Sequence, residues 1–367
     1  MKKTASIIII TLLAYLLFWP VPITPVAWSA PNAPDLVGPY AVNNHLTAIT
    51  RFGEGVGEGP EDVAVDSTGN IYVGYADGRI VRFDATGKNP AVIANTEGRP
   101  LGLDFSPNGN LIVADGYQGL LEITPTGAIT VLTTDANDVP FKFTDDVDVA
   151  SNGMIYFSDA SSKFGPKMKA RDDVLEHGGH GRLLQFDPST GSTTVLLSGL
   201  QFANGVALCP SEQCVLVAQT GSYNILRYWL KGDKAGQHDV FFSNLPGIPD
   251  GISSNGKDTY WVALFAPRNK LLDMLSEFPF LRKISMRLPH FLQPQPAKHA
   301  FVLGLSLDGN VTHNLQHIGA ESFHPITSVE QFDNTLFLGS LTSPAFATYT
   351  LEGQTAKSTN TENITNE

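Results

Sequence analysis

The stretch Gly59-Pro-Glu-Asp-Val-Ala-Val-Asp-Ser-Thr-Gly-Asn-Ile-Tyr-Val-Gly-Tyr75 sets out the unit from which the chain is built. Val63–Val65 and Ile71–Tyr75 are short and apolar, as strands are. Between them, Asp66-Ser-Thr-Gly69 has the residue types that tight hairpins need. The pattern recurs with Ser106-Pro-Asn-Gly109, Ser151-Asn-Gly153, Ser254-Asn-Gly256 and Phe332-Asp-Asn334 as turns, and Cys209 to Cys214 takes the remaining place. A third strand follows, as in Arg79–Phe83 before Asp84-Ala-Thr-Gly87. A fourth completes the unit: Ala91–Ala94, Ile129–Thr133, Thr193–Leu197, Asp239–Phe242 and Val311–Leu315.

Six copies of the first two strands are thus followed by only five fourth strands. His45-Leu-Thr-Ala-Ile-Thr-Arg-Phe-Gly53 reads like the missing one, and it precedes the first repeat. A ring accounts for this, because an N-terminal strand that completes the last unit leaves no open sheet edge. Residues 38–351 supply roughly 52 residues per unit, within propeller repeat lengths. The expected fold is therefore all-β: one six-bladed β-propeller over 38–351, closed by the N-terminal strand and preceded by a signal or anchor helix.

The remainder of the chain fits around that body. Gly 34 and Pro 24 in 367 residues supply the turns, and the charged fraction of 16% argues against a helical bundle. A net charge of −12 would repel a polyphosphate, so nucleic acid is not expected as a partner. Lys2 and Lys3 precede an apolar run from Ile7 to Trp19, and Ala27-Trp28-Ser29 is a weak cleavage site. Residues 1–30 therefore read as a signal peptide or a membrane anchor, with either outcome exporting the rest of the chain. Export makes a disulfide between Cys209 and Cys214 feasible across the neck of their hairpin, with two reduced thiols as the alternative. Two insertions interrupt the repeats, at about 161–180 and 266–298. The second contains helix-like apolar and basic residues, either packed on the propeller or resting on a membrane. The tail 352–367 is polar and expected to be disordered.

Superposing the units locates a site. Two residues before the first strand's Val or Ile stand Glu61, Leu101, Asp145, Asn204, Asp250 and Thr327. First strands line the channel of a propeller, so these positions form a ring around one end of it. Three carboxylates facing one another would repel and raise their pKa values, and a cation relieves that conflict. Glu61, Asp145, Asn204 and Asp250 are all oxygen donors, which favours Ca²⁺ over Zn²⁺. The second strands return to the same end, which makes Asp115 and Asp159 candidates to support that site or touch a substrate. Gly53-x-Gly-x-Gly-x-Gly59 lacks the helix a dinucleotide loop requires.

Gly59-Pro-Glu-Asp, Gly98-Arg-Pro-Leu-Gly, Val113-Ala-Asp-Gly-Tyr-Gln-Gly, Ile155-Tyr-Phe-Ser-Asp-Ala-Ser-Ser, Phe202-Ala-Asn-Gly-Val and Pro246-Gly-Ile-Pro-Asp-Gly-Ile, in that order, resemble the strictosidine synthase-like family. The insertion with Met274-Leu-Ser-Glu is most similar to the adipocyte plasma membrane-associated branch of it, which carries an N-terminal anchor. The resemblance implies a six-bladed propeller in the wider gluconolactonase and paraoxonase superfamily, many of whose members are Ca²⁺-dependent hydrolases. It places the metal residues at Glu61, Asp145, Asn204 and Asp250, with Asp145 where Asn is more usual. It also puts Asp250 where hydrolytic relatives keep a metal-bound base or nucleophile. Plant strictosidine synthases use a sixth-blade glutamate for amine–aldehyde condensation, and Thr327 stands in that place. The expected function is a Ca²⁺-dependent ester or lactone hydrolase acting on a small molecule. The alternatives are a binding propeller with a structural metal, and, disfavoured by Thr327, the condensation itself. Residues 1–30 and 266–298 are the expected membrane contacts.

Overall fold

The computed structural model describes residues 2–165 and 170–351. Six four-stranded antiparallel sheets stand around a central channel, each running from an inner to an outer strand. Blade 1 is Val63–Val65, Ile71–Gly74, Arg79–Phe83 and Ala91–Asn95; blade 2 is Pro100–Phe105, Leu111–Asp115, Gly119–Ile123 and Ile129–Thr133. Blade 3 is Thr144–Val149, Ile155–Asp159, Gly181–Asp187 and Ser192–Leu200; blade 4 is Ala203–Leu208, Cys214–Gln219, Asn224–Trp229 and His238–Phe242. Blade 5 is Gly247–Ser254, Thr259–Pro267, His299–Ser306 and Val311–Ile318. Blade 6 takes Val329–Phe332, Thr335–Leu338 and Phe346–Thr350 from the C-terminal end and Thr50–Phe52 from the N-terminal end.

The closing strand is shorter than the sequence suggested. Only Thr50–Phe52 pair, with Thr348, Ala347 and Phe346. His45–Ala48 form a 3-10 turn instead, because Leu46 is fully buried between blades 5 and 6. The core lies between blades rather than within one sheet, as the six apolar clusters show. Val63, Val73 and Phe83 of blade 1 meet Phe337 and Phe346 of blade 6. Ala207 and Leu216 of blade 4 meet Ile252, Val262 and Phe301 of blade 5 in the same way. Strands buried on both faces explain why the inner two of each unit read as unbroken apolar runs. Cys209 and Cys214 are bridged, with Cα atoms 5.3 Å apart.

Among the described residues four α-helices decorate this body: α1 (Lys2–Phe18), α2 (Ala170–Glu176), α3 (Lys270–Leu275) and α4 (Pro279–Arg287). Helix α2 lies in the blade 3 insertion, and α3 and α4 lie in the blade 5 insertion. The chain between α1 and the first blade runs across both. Val26 N donates to Glu176 O at 2.8 Å and Trp28 N to Ser276 O at 3.2 Å. His177, which follows α2, is buried with its ring stacked on Trp28 at 4.1 Å. Burial lowers its pKa to about 4, so it is neutral at pH 7. The tail 352–367 lies outside the described residues.

The inner strands approach backbone to backbone. A Cβ on Gly205 would fall 2.7 Å from Asp250 O and 2.6 Å from Gly251 C, and nearer still to Ile252 N. Backbone cannot rotate away as a side chain can. Gly205→Ala is therefore expected to lower stability by about 2 to 3 kcal/mol, read as a lower urea midpoint at unchanged slope.

Candidate active site at the channel mouth

The channel is a cavity of about 140 Å³. Glu61, Asp145, Asn204, Asp250, Thr327 and Leu101 all line it, one from each inner strand or the residues that lead into it. Asp145, Asn204 and Asp250 are buried, and Glu61 is partly so. Asn204 Nδ2 donates to Asp250 Oδ1 at 2.5 Å. Asp145 Oδ2 is buried and has no hydrogen-bond partner.

Burial and mutual repulsion dominate the electrostatics. Asp145 is pushed well above the usual carboxylate range, first by desolvation and then by the Glu61 and Asp250 charges. Asp250 is raised for the same reasons, with the Asn204 hydrogen bond opposing. Glu61 is raised by burial but moderated by Arg99, whose Nη2 lies 3.0 Å from Glu61 Oε2. The donor set is all oxygen, and an orphaned buried carboxylate oxygen suits a hard divalent cation and not zinc. Two features stand against a ready-made cage. Arg99 competes for Glu61, and among the described residues no three acidic, His or Cys side chains are gathered to metal-ligand spacing.

A second tier of acids lies along the same channel: Asp62, Asp104, Asp146, Asp148 and Glu330. Most of these brace one blade to the next. Asp62 accepts from Leu103 N at 2.8 Å, Asp104 from Val149 N at 2.7 Å, Asp146 from Val206 N at 2.8 Å and Asp148 from Leu208 N at 2.6 Å. The signal was present as Asp146-Val-Asp148, acids at alternate positions of a strand that should be buried. Arg99 was missed because it precedes its strand and meets Glu61 only through the fold.

Asp115 and Asp159 do not line the cavity. Asp115 is fully buried and accepts from Thr96 Oγ1 at 2.7 Å, Arg99 N at 3.0 Å, Tyr117 N at 2.9 Å and Gln118 N at 3.0 Å. Asp159 pairs with Arg182 at 2.6 Å and accepts from Lys142 N at 3.1 Å and Phe143 N at 3.0 Å. Gln219, at the equivalent place in blade 4, accepts from Gln201 N at 2.9 Å. In blades 2, 3 and 4 these residues latch the segment that leads into the inner strand, with lone pairs taken by backbone N–H groups, Thr96 and Arg182. The Thr327 hydroxyl donates to Glu61 O at 2.8 Å and ties blade 6 to blade 1.

The fold and its acidic channel mouth define a six-bladed β-propeller. Solved structures similar to it include a gluconolactonase from Xanthomonas campestris, with a TM-score of 0.60 and 16% identity over 90% of this chain and 99% of that one. A calcium-binding protein, regucalcin, from Agrobacterium tumefaciens aligns with a TM-score of 0.56 and 14% identity over 83% of this chain and 92% of that one. The chain belongs to the strictosidine synthase-like family. It is 37% identical over 312 residues to strictosidine synthase-like protein 6 of Arabidopsis thaliana, covering 83% of this chain and 82% of that protein. It is 36% identical over 360 residues to the adipocyte plasma membrane-associated protein of Salmo salar, covering 88% of this chain and 83% of that protein. The strictosidine synthase family model matches residues 145–233, and the strictosidine synthase-like N-terminal model matches residues 38–83.

The raised pKa values set the direction of a pH dependence. Asp148 rises to about 6 in the fold. A carboxyl raised on folding adds stability that is complete below its unfolded value and lost as pH rises through its folded value. Asp145 and Asp250, also raised well above the usual carboxylate range, act in the same direction. In chelator, the melting temperature is expected to fall as pH rises from about 5 to about 7. Asp145→Asn, which removes one repelling charge, is expected to flatten that fall. A profile that rises instead contradicts the mutual repulsion.

Proposed function

We propose that the protein is a divalent-cation-dependent hydrolase of esters or lactones, acting at the channel mouth. The observation that carries this reading is the convergence of Glu61, Asp145, Asn204 and Asp250 on one cavity, with the buried Asp145 Oδ2 lacking any hydrogen-bond partner. The fold neighbours support it, since one is described as a gluconolactonase and another as a calcium-binding protein. Relatives described as plasma membrane-associated support export and attachment to a membrane.

Calcium held by these four residues would supply Lewis-acid polarisation of the substrate carbonyl. Asp250 is the residue assigned to proton transfer. Asn204 holds one of its oxygens and so fixes the carboxylate plane. Burial and the Glu61 charge raise its proton affinity. It takes a proton from the attacking water as the water oxygen bonds to the acyl carbon. It returns that proton to the leaving alkoxide as the acyl C–O bond breaks. An ester yields an acid and an alcohol, and a lactone yields one hydroxy acid. Thr327 offers no carboxylate for a condensation, and its hydroxyl is already committed to Glu61 O.

Asp250→Asn keeps the shape of the side chain and its place beside Asn204. It is expected to leave the fold intact and to reduce turnover of aryl esters and lactones at least about 100-fold. Chelation is expected to abolish turnover and lower the melting temperature together. Full activity in Asp250→Asn overturns the assignment. Calcium-dependent melting with no turnover of any ester or lactone identifies a binding propeller instead.

A further inference from the structure

Two buried arginines pair with acids, and the chain uses them differently. Every nitrogen of the Arg182 guanidinium donates. Nε and Nη2 go to Asp159 Oδ2 at 3.1 and 2.6 Å, and Nη1 and Nη2 go to Val139 O and Pro140 O at 3.2 Å each. Arg99 is 9% exposed, and its guanidinium makes one such bond, from Nη2 to Glu61 Oε2 at 3.0 Å. Its Nη1 is buried with no hydrogen-bond partner. A guanidinium that serves as permanent structure uses its whole fork, whereas a donor buried without a partner destabilises the pose that buries it.

The main chain around Arg99 is fixed. Arg99 N donates to Asp115 Oδ1 at 3.0 Å, Arg99 O accepts from Gly116 N at 2.9 Å, and Gly98 N donates to Thr96 Oγ1 at 3.1 Å. Any change at this position is therefore a rotation of the side chain. That side chain carries the positive charge of the mouth, since among the described residues no Lys, Arg or His pairs with Asp145 or Asp250. Arg99 does not line the channel, so it holds Glu61 from outside the ring. While it does so, Glu61, Asp145 and Asp250 are not gathered to metal-ligand spacing. A cation can use all three only by drawing Glu61 inward, away from Nη2.

We propose that Arg99 is the internal counter-cation of the mouth: it holds Glu61 until a divalent cation takes that carboxylate, and the guanidinium then turns outward. The inference rests on the cation-binding reading of the mouth and not on hydrolysis. Charge gives the exchange its direction. A divalent ion brings two positive charges among three carboxylates where Arg99 brings one, and guanidinium and ion repel each other at that range. A monovalent ion offers no more charge than Arg99 and lacks its hydrogen bond, so the exchange selects divalent ions. Arg99 therefore lowers the affinity of the mouth for a cation and stabilises the cation-free fold. A residue that merely positioned Glu61 for the ion would raise that affinity instead.

The test is calorimetric titration with calcium of the full chain, stripped with chelator, and of Arg99→Gln and Arg99→Lys. Arg99→Gln is expected to bind calcium at least about 10-fold more tightly and to melt lower in its absence. Arg99→Lys keeps the charge and is expected to stay within about 3-fold of the unaltered chain. An affinity that is unchanged or weaker in Arg99→Gln, with binding intact in the unaltered chain, overturns the exchange and leaves the cation site standing. No calcium bound by any of the three proteins overturns the cation reading and the exchange with it. The unaltered chain supplies a second measurement that needs no variant to fold. An arginine-selective dicarbonyl reagent, read by peptide mass spectrometry, is expected to label Arg99 about three-fold faster in calcium than in chelator. Arg82, exposed on the third strand of blade 1, is the control and keeps its rate. Equal labelling of Arg99 in both conditions, with calcium bound, overturns the exchange.

Discussion

Around the channel the inner strands come so close that main chain packs on main chain. A Cβ on Gly102 would fall 2.6 Å from Asp146 Cα, and one on Gly251 would fall 2.6 Å from Thr327 O. At that spacing the strands need no apolar side chains between them, and polar groups can occupy the axis. Asp62, Asp104, Asp146 and Asp148 each reach across to an N–H of the next blade, so the acids are part of the scaffold as well as the lining. The residue before each close-packed glycine is turned to the mouth, which is how Asn204 and Asp250 arrive beside each other. The site therefore follows from how tightly the ring closes.

The ring of blades and the mouth positions were legible in the sequence because both repeat. Turn chemistry marks each unit, and a fixed offset from the first strand marks Glu61, Asp145, Asn204 and Asp250 whatever the blade. Features without a repeat were not legible. Arg99 meets Glu61 through space, and nothing in Gly98-Arg-Pro predicts it. Asp115 and Asp159 share a place in the repeat, but a repeat cannot tell a lone pair facing a channel from one accepting the backbone of its own blade. The orientation of α4 misleads hydropathy altogether, because its arginines have helix ends to cap and so displace the aromatic side chains outward.

The roof at the mouth is held by carbonyl groups rather than by apolar packing alone. The residues after α1 lie across α2 and α3 as a strap, with Thr24 N on Glu176 Oε2 at 2.7 Å and Trp28 over His177. Ile23 is 2% exposed under the same contacts. Residues 19–32 therefore belong to the folded body as much as the blades do. A cut at Ala27-Trp28-Ser29 would remove side chains on which the roof is assembled.

The clasp between Thr50–Phe52 and Phe346–Thr348 joins parts of the chain about 300 residues apart. During synthesis the first five blades can pair locally as they emerge, but the sixth must wait until the end of the chain is made. Until then blades 1 and 5 each leave an apolar face uncovered at the gap, and the molecule is prone to associate with other chains. Only a chain made through Thr350 can close that gap. The ring thus registers how far its own synthesis has run: a chain stopped before Thr350 keeps apolar faces exposed as a mark of incompleteness, and one made past it hides them.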